Sequence, residues 1–144
     1  MNIKVKKNNP NAILPTFASS AAAGCDLYAC LDNFVEIPPL ETVKISTGLS
    51  MAIPDGYWGG IFARSGLATK EGLRPANSVG VIDSDYRGEI IVAVHNDTEY
   101  LRIIEPGQRI AQMLILPKYR ISFEEVKELD STDRGTGGFG STGK

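Results

Sequence analysis

Apolar residues in this chain come in short runs separated by turn chemistry. Val35-Glu36-Ile37, Val43-Lys44-Ile45, Ile90-Ile91-Val92-Ala93-Val94 and Leu101-Arg102-Ile103-Ile104 are rich in β-branched side chains, which suit a pleated, half-buried surface. Pro38-Pro39, Pro54-Asp55-Gly56, Asn96-Asp97 and Pro106-Gly107 punctuate them, each with residues that favour turns. Tyr57 to Ala63 reads as a further strand, Val81-Ile82 as a buried one, and Met1 to Lys6 as an edge strand. Sustained 3.6-residue periodicity is absent. One short helix is predicted from Ser65 to about Lys70, with Ser65 capping its first turn. Many short strands at regular spacing predict an all-β sandwich or barrel.

Composition narrows this picture. A chain of 144 residues, 42% hydrophobic and 22% charged, suits one soluble domain with a real core. A net charge of -2 gives no bulk attraction to nucleic acid or membrane, so no direct nucleic-acid partner is expected and a polyanion would need a local basic site. No apolar run approaches bilayer length. The first residues lack an apolar signal region, and a cytoplasmic protein is expected. Cys25 and Cys30, five apart on a strand, would face opposite ways and read as core filler rather than a disulfide. His95 is the one histidine, which argues against a structural zinc site.

From Asp130 the composition changes, and the chain divides into a domain over 1–133 and a glycine-rich arm over 134–144. The arm holds Arg134, Phe139, Ser141 and Thr142 between glycines. Ordering each residue costs roughly 1–2 kcal/mol of backbone entropy, so the arm should be mobile until a ligand or partner holds it. A flexible terminus is the commonest fate of such a segment; equally, the composition suits wrapping a phosphate and covering a planar ring. Gly135-x-Gly137-x-x-Gly140 fits the dinucleotide fingerprint, but the strand before it and the helix and acidic residue after it are missing. Gly138 to Lys144 fits the start of a P-loop without the Ser/Thr and helix that bind phosphate.

Elsewhere the candidate chemistry is ionic. Arg64-Ser65-Gly66 follows a strand and opens the one helix, a compact place for a phosphate; an ordinary cap with a surface arginine would look the same. Asp83 ends the apolar Val81-Ile82, where a rigidly held carboxylate can take a proton from water; a turn Asp bonding its own backbone is the alternative. Asp26 sits among small residues and could hold metal-bound waters or be another turn residue. Gln112 precedes Met113 and Leu114, and in so apolar a setting needs either a structural carbonyl or a ligand.

Taken together, five segments in order resemble the motifs of the trimeric dUTP pyrophosphatase (dUTPase) family. They are Ala23 to Ala29, Arg64 to Ala68, Gly80 to Glu89, Pro106 to Gln112, and Arg134 to Gly143. The resemblance runs from about Ile13 to the end. It implies a jelly-roll, β-clip type of distorted barrel with one short helix and a flexible glycine-rich C-terminal arm. It also implies a homotrimer with three sites at subunit interfaces. The implied reaction is hydrolysis of dUTP to dUMP and pyrophosphate by water attack on the α-phosphorus, which would limit uracil incorporation into DNA and supply dUMP for thymidylate synthesis. By the same likeness Asp83 would activate the water, Asn77 would contact uracil, and Tyr86 would stack under the sugar and exclude a 2′-hydroxyl. Arg64, Ser65, Gly66 and Gln112 would bind phosphates. Arg134, Gly140, Ser141 and Thr142 would close over the γ-phosphate end while Phe139 covers the base. Mg²⁺ would ride mainly on the triphosphate, with Asp26 reaching it through water. Phe62-Ala63 stand before Arg64 where many relatives have a Pro, which bears on loop shape. The related dCTP deaminases need a Glu in the strand where this chain has Ala93, which argues against deamination.

Overall fold

The computed structural model describes residues 1–139. Its strands are β1 (Lys4–Lys7), β2 (Cys25–Tyr28), β3 (Val35–Ile37), β4 (Thr42–Ala52), β5 (Tyr57–Phe62), β6 (Leu73–Pro75), β7 (Gly80–Ile82), β8 (Glu89–Asn96), β9 (Arg102–Ile104) and β10 (Arg109–Pro117). Among the described residues the single helix is α1 (Ser65–Glu71). The strands form two four-stranded sheets, ordered β1-β4-β8-β6 and β2-β10-β5-β7, and a two-stranded pair, β3-β9. The all-β jelly-roll expectation holds, with open sheets rather than a closed barrel.

Strand β8 shows why the elements form. Ile90, Val92, Val94 and Asn96 are buried, whereas Ile91 between them is 46% exposed; the period of two sends one face to the core. Ile37, Ile45, Leu49, Leu73, Ile104, Ile110 and Met113 complete that core from the other strands. Asn96 is the polar exception. Its Nδ2 donates to the carbonyls of Ile37, Pro38 and Tyr100 at 3.0, 3.1 and 2.7 Å, and its Oδ1 accepts from the Thr98 amide at 3.0 Å. The side chain thus pins the turn after β8 to the end of β3.

Several expectations need correction. Strand β4 runs far past Val43-Lys44-Ile45, through Gly48 to Ala52. Gly48 has φ 66°, and the register with β8 shifts between Ser46 and Ser50, so the strand continues through a bulge. A Cβ at Gly48 would lie 2.8 Å from both Ala12 Cβ and Cys30 Sγ; conformation and space both require glycine there. Ser65 is the first helical residue, not the cap. Arg64, extended at φ −80° and ψ 129°, holds the cap position without a side-chain bond, two residues after the end of β5. Val81 is 60% exposed, since β7 is an edge strand paired only with β5. Cys30 lies beyond the end of β2. The two thiols form no disulfide and are half-buried against the core; Cys25 Sγ donates to the Met113 carbonyl at 3.4 Å, and burial pushes both thiols up from their ordinary pKa. Among the described residues no helix is long and apolar enough to cross a membrane.

Replacing Asn96 by Ala strands three carbonyls beneath the β8 turn. Urea unfolding should show a loss on the order of 2–3 kcal/mol, with β-sheet circular dichroism retained.

Candidate active site

Strand β10 organises the site. It pairs with β2 on one side and β5 on the other, and its register sets Gln112 opposite both Asp26 and Phe62. Beyond Phe62 the chain turns through Ala63 and Arg64 into α1. These elements enclose an open cleft of about 760 Å³ lined by Asp26, Arg64, Ser65, Gly66, Ser78 and Gln112.

Asp26 is the cleft's electrostatic anchor. Arg64 Nε donates to its Oδ1 at 2.8 Å and Arg109 Nη1 to its Oδ2 at 3.2 Å. The Asp26 side chain is only 12% exposed, so these charge-assisted bonds are partly shielded from water. The Nη groups of Arg64 have no protein acceptor among the described residues. Within the cleft lining Arg64 balances the charge of Asp26, while Arg109 bonds the same carboxylate from outside the lining residues. The amides of the first α1 turn lack intrahelical acceptors and face the same space. Gln112 resolves one open question: its Nε2 donates to the Ala63 carbonyl at 2.9 Å, holding the turn that carries Arg64. Gly24 packs against it, since a Cβ there would sit 3.1 Å from Gln112 Oε1 and 2.9 Å from Leu114 Cδ1. Gly66 is different. A Cβ on it would meet nothing within 4 Å, so the protein itself leaves that space open at the cleft.

Asp83 and Tyr86 lie elsewhere, in a hollow of about 280 Å³ shared with Ile82, Glu89 and Ile91. The Asp83 carboxylate makes no hydrogen bond among the described residues; its backbone carbonyl accepts from the Tyr86 amide at 3.2 Å. It is therefore not the self-bonded turn Asp. Tyr86, 43% exposed, donates its hydroxyl to the Glu89 carbonyl at 2.9 Å. Asn77 sits exposed in the turn before β7, beside the Ser78 that lines the first cleft. Ile82 opposes Gly59, which sets Asp83 level with Trp58, six residues before Arg64. The four steps of β5 from Trp58 to Phe62 alone span roughly 13 Å at about 3.3 Å per residue, and Arg64 lies beyond that end of the strand.

Arg134 and Phe139 approach neither hollow: Arg134 Nε donates to the Gly137 carbonyl at 3.1 Å, and Phe139 is fully exposed. Gly140, Ser141 and Thr142 lie outside the described residues. No group of three or more His, Cys, Asp or Glu suited to a metal occurs among the described residues. Arg109 received no role from the sequence. It stands three residues from Gln112, a spacing that puts side chains on opposite faces of a regular strand. A bulge between Arg109 and Ala111 turns it onto the face of Asp26. An acid with two arginines in neighbouring motifs was the available signal.

A cleft on a jelly roll that presents the Arg64 Nη groups and the start of α1, with an uncommitted carboxylate on the same sheet, suits an enzyme acting on a phosphorylated substrate. The dUTPase family model matches residues 10–143. A deoxyuridine 5'-triphosphate nucleotidohydrolase from Hydrogenobaculum sp. is 50% identical over 143 residues, covering 99% of each chain. The protein of the same description from Syntrophotalea carbinolica is 48% identical over 145 residues, covering 99% of this chain and 97% of the other. In structure, a mutant dUTPase of Staphylococcus bacteriophage 80alpha with dUpNHpp superposes with a TM-score of 0.89 at 28% identity, covering 99% of each chain. A mutant dUTPase from phage phi11 of S. aureus, described for its coordination of a structural Mg(II) ion, shares the fold at 23% identity and TM-score 0.79, covering 89% of this chain and 98% of that one. The chain belongs to the dUTPase family and is a hydrolase of dUTP.

Two substitutions separate packing from ligand space here. Gly66→Ala should stabilise the protein by about 0.5–1 kcal/mol, because alanine fits the open space and favours helix. Asp26→Ala should cost about 1–3 kcal/mol by leaving two guanidiniums face to face. Thermal unfolding of the two variants beside wild type reads both signs.

Proposed function

We propose that water attack on the α-phosphorus of dUTP takes place between copies of this chain, one giving the Asp83 hollow and another the Arg64 cleft, in a homotrimer with three shared sites. The observation that carries this reading is that Asp83 and Arg64 lie in separate hollows, set apart by at least the roughly 13 Å of β5 between Trp58 and Phe62. A second copy can bring the two groups to one phosphorus.

In this reading the nucleoside lies in the hollow. Asn77 contacts uracil, and Tyr86 lies under the deoxyribose and leaves no room for a 2′-hydroxyl. Asp83, free of protein partners, accepts a proton as the water oxygen bonds to the α-phosphorus and the bond to the β-phosphate oxygen breaks. Charge builds on the α-phosphate oxygens and on departing pyrophosphate. Arg64, the amides of Ser65 and Gly66, and the Gln112 region meet that charge already oriented. The arm, residues 134–144, closes the site: Arg134, Gly140, Ser141 and Thr142 meet the γ-phosphate end and Phe139 covers the base, which excludes water and favours a triphosphate over a diphosphate.

Mg²⁺ fits as a companion of the substrate rather than a resident ion. The cleft offers one carboxylate, and both its oxygens already accept from arginines. Each keeps a lone pair for a metal-bound water, as suits an ion that dehydrates reluctantly. When bound, Mg²⁺ would neutralise charge on the phosphate oxygens. A cytoplasmic location follows the substrate, a nucleotide of the soluble pool.

Pyrophosphate release with Mg²⁺ should be fast for dUTP and weak for dTTP, dCTP and UTP; equal rates on all four would overturn the specificity. Asp83→Asn should bind dUTP but lose about 10²–10⁴-fold in turnover. Arg64→Ala should also be nearly inactive. Unfolding these two variants together and refolding them should restore part of the activity, since mixed trimers contain intact sites. No recovery would place each site within one chain. Removing residues after Asp133 should cripple turnover while the oligomer persists.

A further inference from the structure

Glu89 opens β8 at the point where the β4–β8 ladder is interrupted. Pairing runs from Thr42↔His95 to Ser46↔Ile91, then resumes only at Ser50↔Glu89. In the gap, side chains replace the missing ladder. The Glu89 carboxylate accepts from the Gly48 amide at 2.8 Å and from the Ser46 hydroxyl, while Thr47 Oγ1 donates to the Ile90 carbonyl at 2.6 Å. Bonds to a carboxylate are roughly twice as strong as neutral ones, so the Glu89 side chain is what fixes the Glu89 backbone to the bulge. That backbone carbonyl is the acceptor of the Tyr86 hydroxyl. Gly88 adds a second restraint: a Cβ there would collide with the Tyr86 hydroxyl and ring, so the ring lies directly on the Gly88 backbone. Glu89 also lines the hollow that holds Asp83 and Tyr86.

We propose that Glu89 is the positioning residue that sets sugar specificity: through its own carbonyl it holds the Tyr86 ring at the height that excludes a 2′-hydroxyl. This rests on the placement of deoxyribose over Tyr86 argued above. The chain of contacts runs from the Gly48 bulge through the Glu89 carboxylate and carbonyl to the Tyr86 ring. An exposed tyrosine has several rotamers available, and this hydroxyl bond is its one polar anchor among the described residues. Releasing it lets the ring tilt and opens the space a ribonucleotide needs.

The experiment measures kcat and KM for dUTP and for UTP in wild type, Glu89→Ala, Glu89→Gln, Tyr86→Phe and the Glu89→Ala/Tyr86→Phe double variant. Glu89→Ala should lower the dUTP-to-UTP ratio of kcat/KM about tenfold, mainly through KM. Glu89→Gln keeps an acceptor for the Gly48 amide and should restore most of the ratio. Tyr86→Phe, which leaves the bulge intact, should lower the ratio like Glu89→Ala, and the double variant should fall no further. A role in stability alone would reduce both substrates alike and leave the ratio at its wild-type value; that result, or an unchanged ratio in Tyr86→Phe, overturns the proposal. The Tyr86→Phe arm decides the matter even if Glu89→Ala does not fold. Wild type that fails to prefer dUTP would instead overturn the reading of the hollow on which the proposal rests.

Discussion

The site depends on one carboxylate. Asp26 takes a guanidinium from the end of β5 and another from the start of β10, and so ties together three strands where their ladder hydrogen bonds run out. The geometry has a consequence for binding. An arginine free in solvent must give up about 2 kcal/mol of rotamer freedom when it grips a ligand. Arg64 has already given up much of that to Asp26 through Nε, while its Nη groups remain for an anion. The acid in this cleft is what holds its arginine in place. It also limits what the cleft can hold, because a carboxylate shared by two arginines is a poor primary ligand for a divalent ion.

A second constraint follows from strand geometry. The hollow and the cleft lie on one sheet but toward opposite ends of the β5–β7 pair, and a strand cannot be shortened. In the proposed reading, nucleoside and phosphate recognition belong to different regions of a chain and a second copy joins them, which would make assembly and activity one property. The same reading would account for the Asp83 side chain, which has no hydrogen-bond partner among the described residues.

Much of this was legible in the sequence, and the misses share a cause. Strands β3, β8 and β9 followed from β-branched runs between turn residues, and the helix from its position after β5. The second half of β4 was hidden because Gly48 serves a bulge, and bulges have no residue signature apart from the glycine itself. Arg109 was hidden by another bulge, which reversed the face that period-two counting assigns. Ser65 was misplaced by one position because a serine favours the cap, whereas here Arg64 holds that position without a side-chain bond. Val81 was misjudged because apolar sequence does not reveal that a strand is at an edge. Arg64, Ser65, Gly66, Gln112 and Asp26 share a cleft, yet that grouping came from ordered motifs. No local pattern could show that strands 90 residues apart would meet. Tyr86 and the arm residues owe their roles to resemblance; Tyr86 shares a hollow with Asp83, while Arg134 and Phe139 line neither hollow.

The glycines bind these threads together. Most of those described are explained by the protein: Gly48 by its φ and by Ala12 and Cys30, Gly24 by Leu114 and Gln112, Gly59 by Ile53, Gly80 by Ile61. For these, adding a methyl group is a question of folding. Gly66 and Gly138 have ordinary φ and no neighbour within 4 Å of a built Cβ. Folding gives no reason for either, and each carries the entropic cost of glycine without a structural return. One stands in the cleft where phosphate is proposed to bind, and the other in the arm proposed to close over it. A close approach of backbone to a ligand would account for both, and in the proposed reading it would do so at one site, with the arm closed over the cleft.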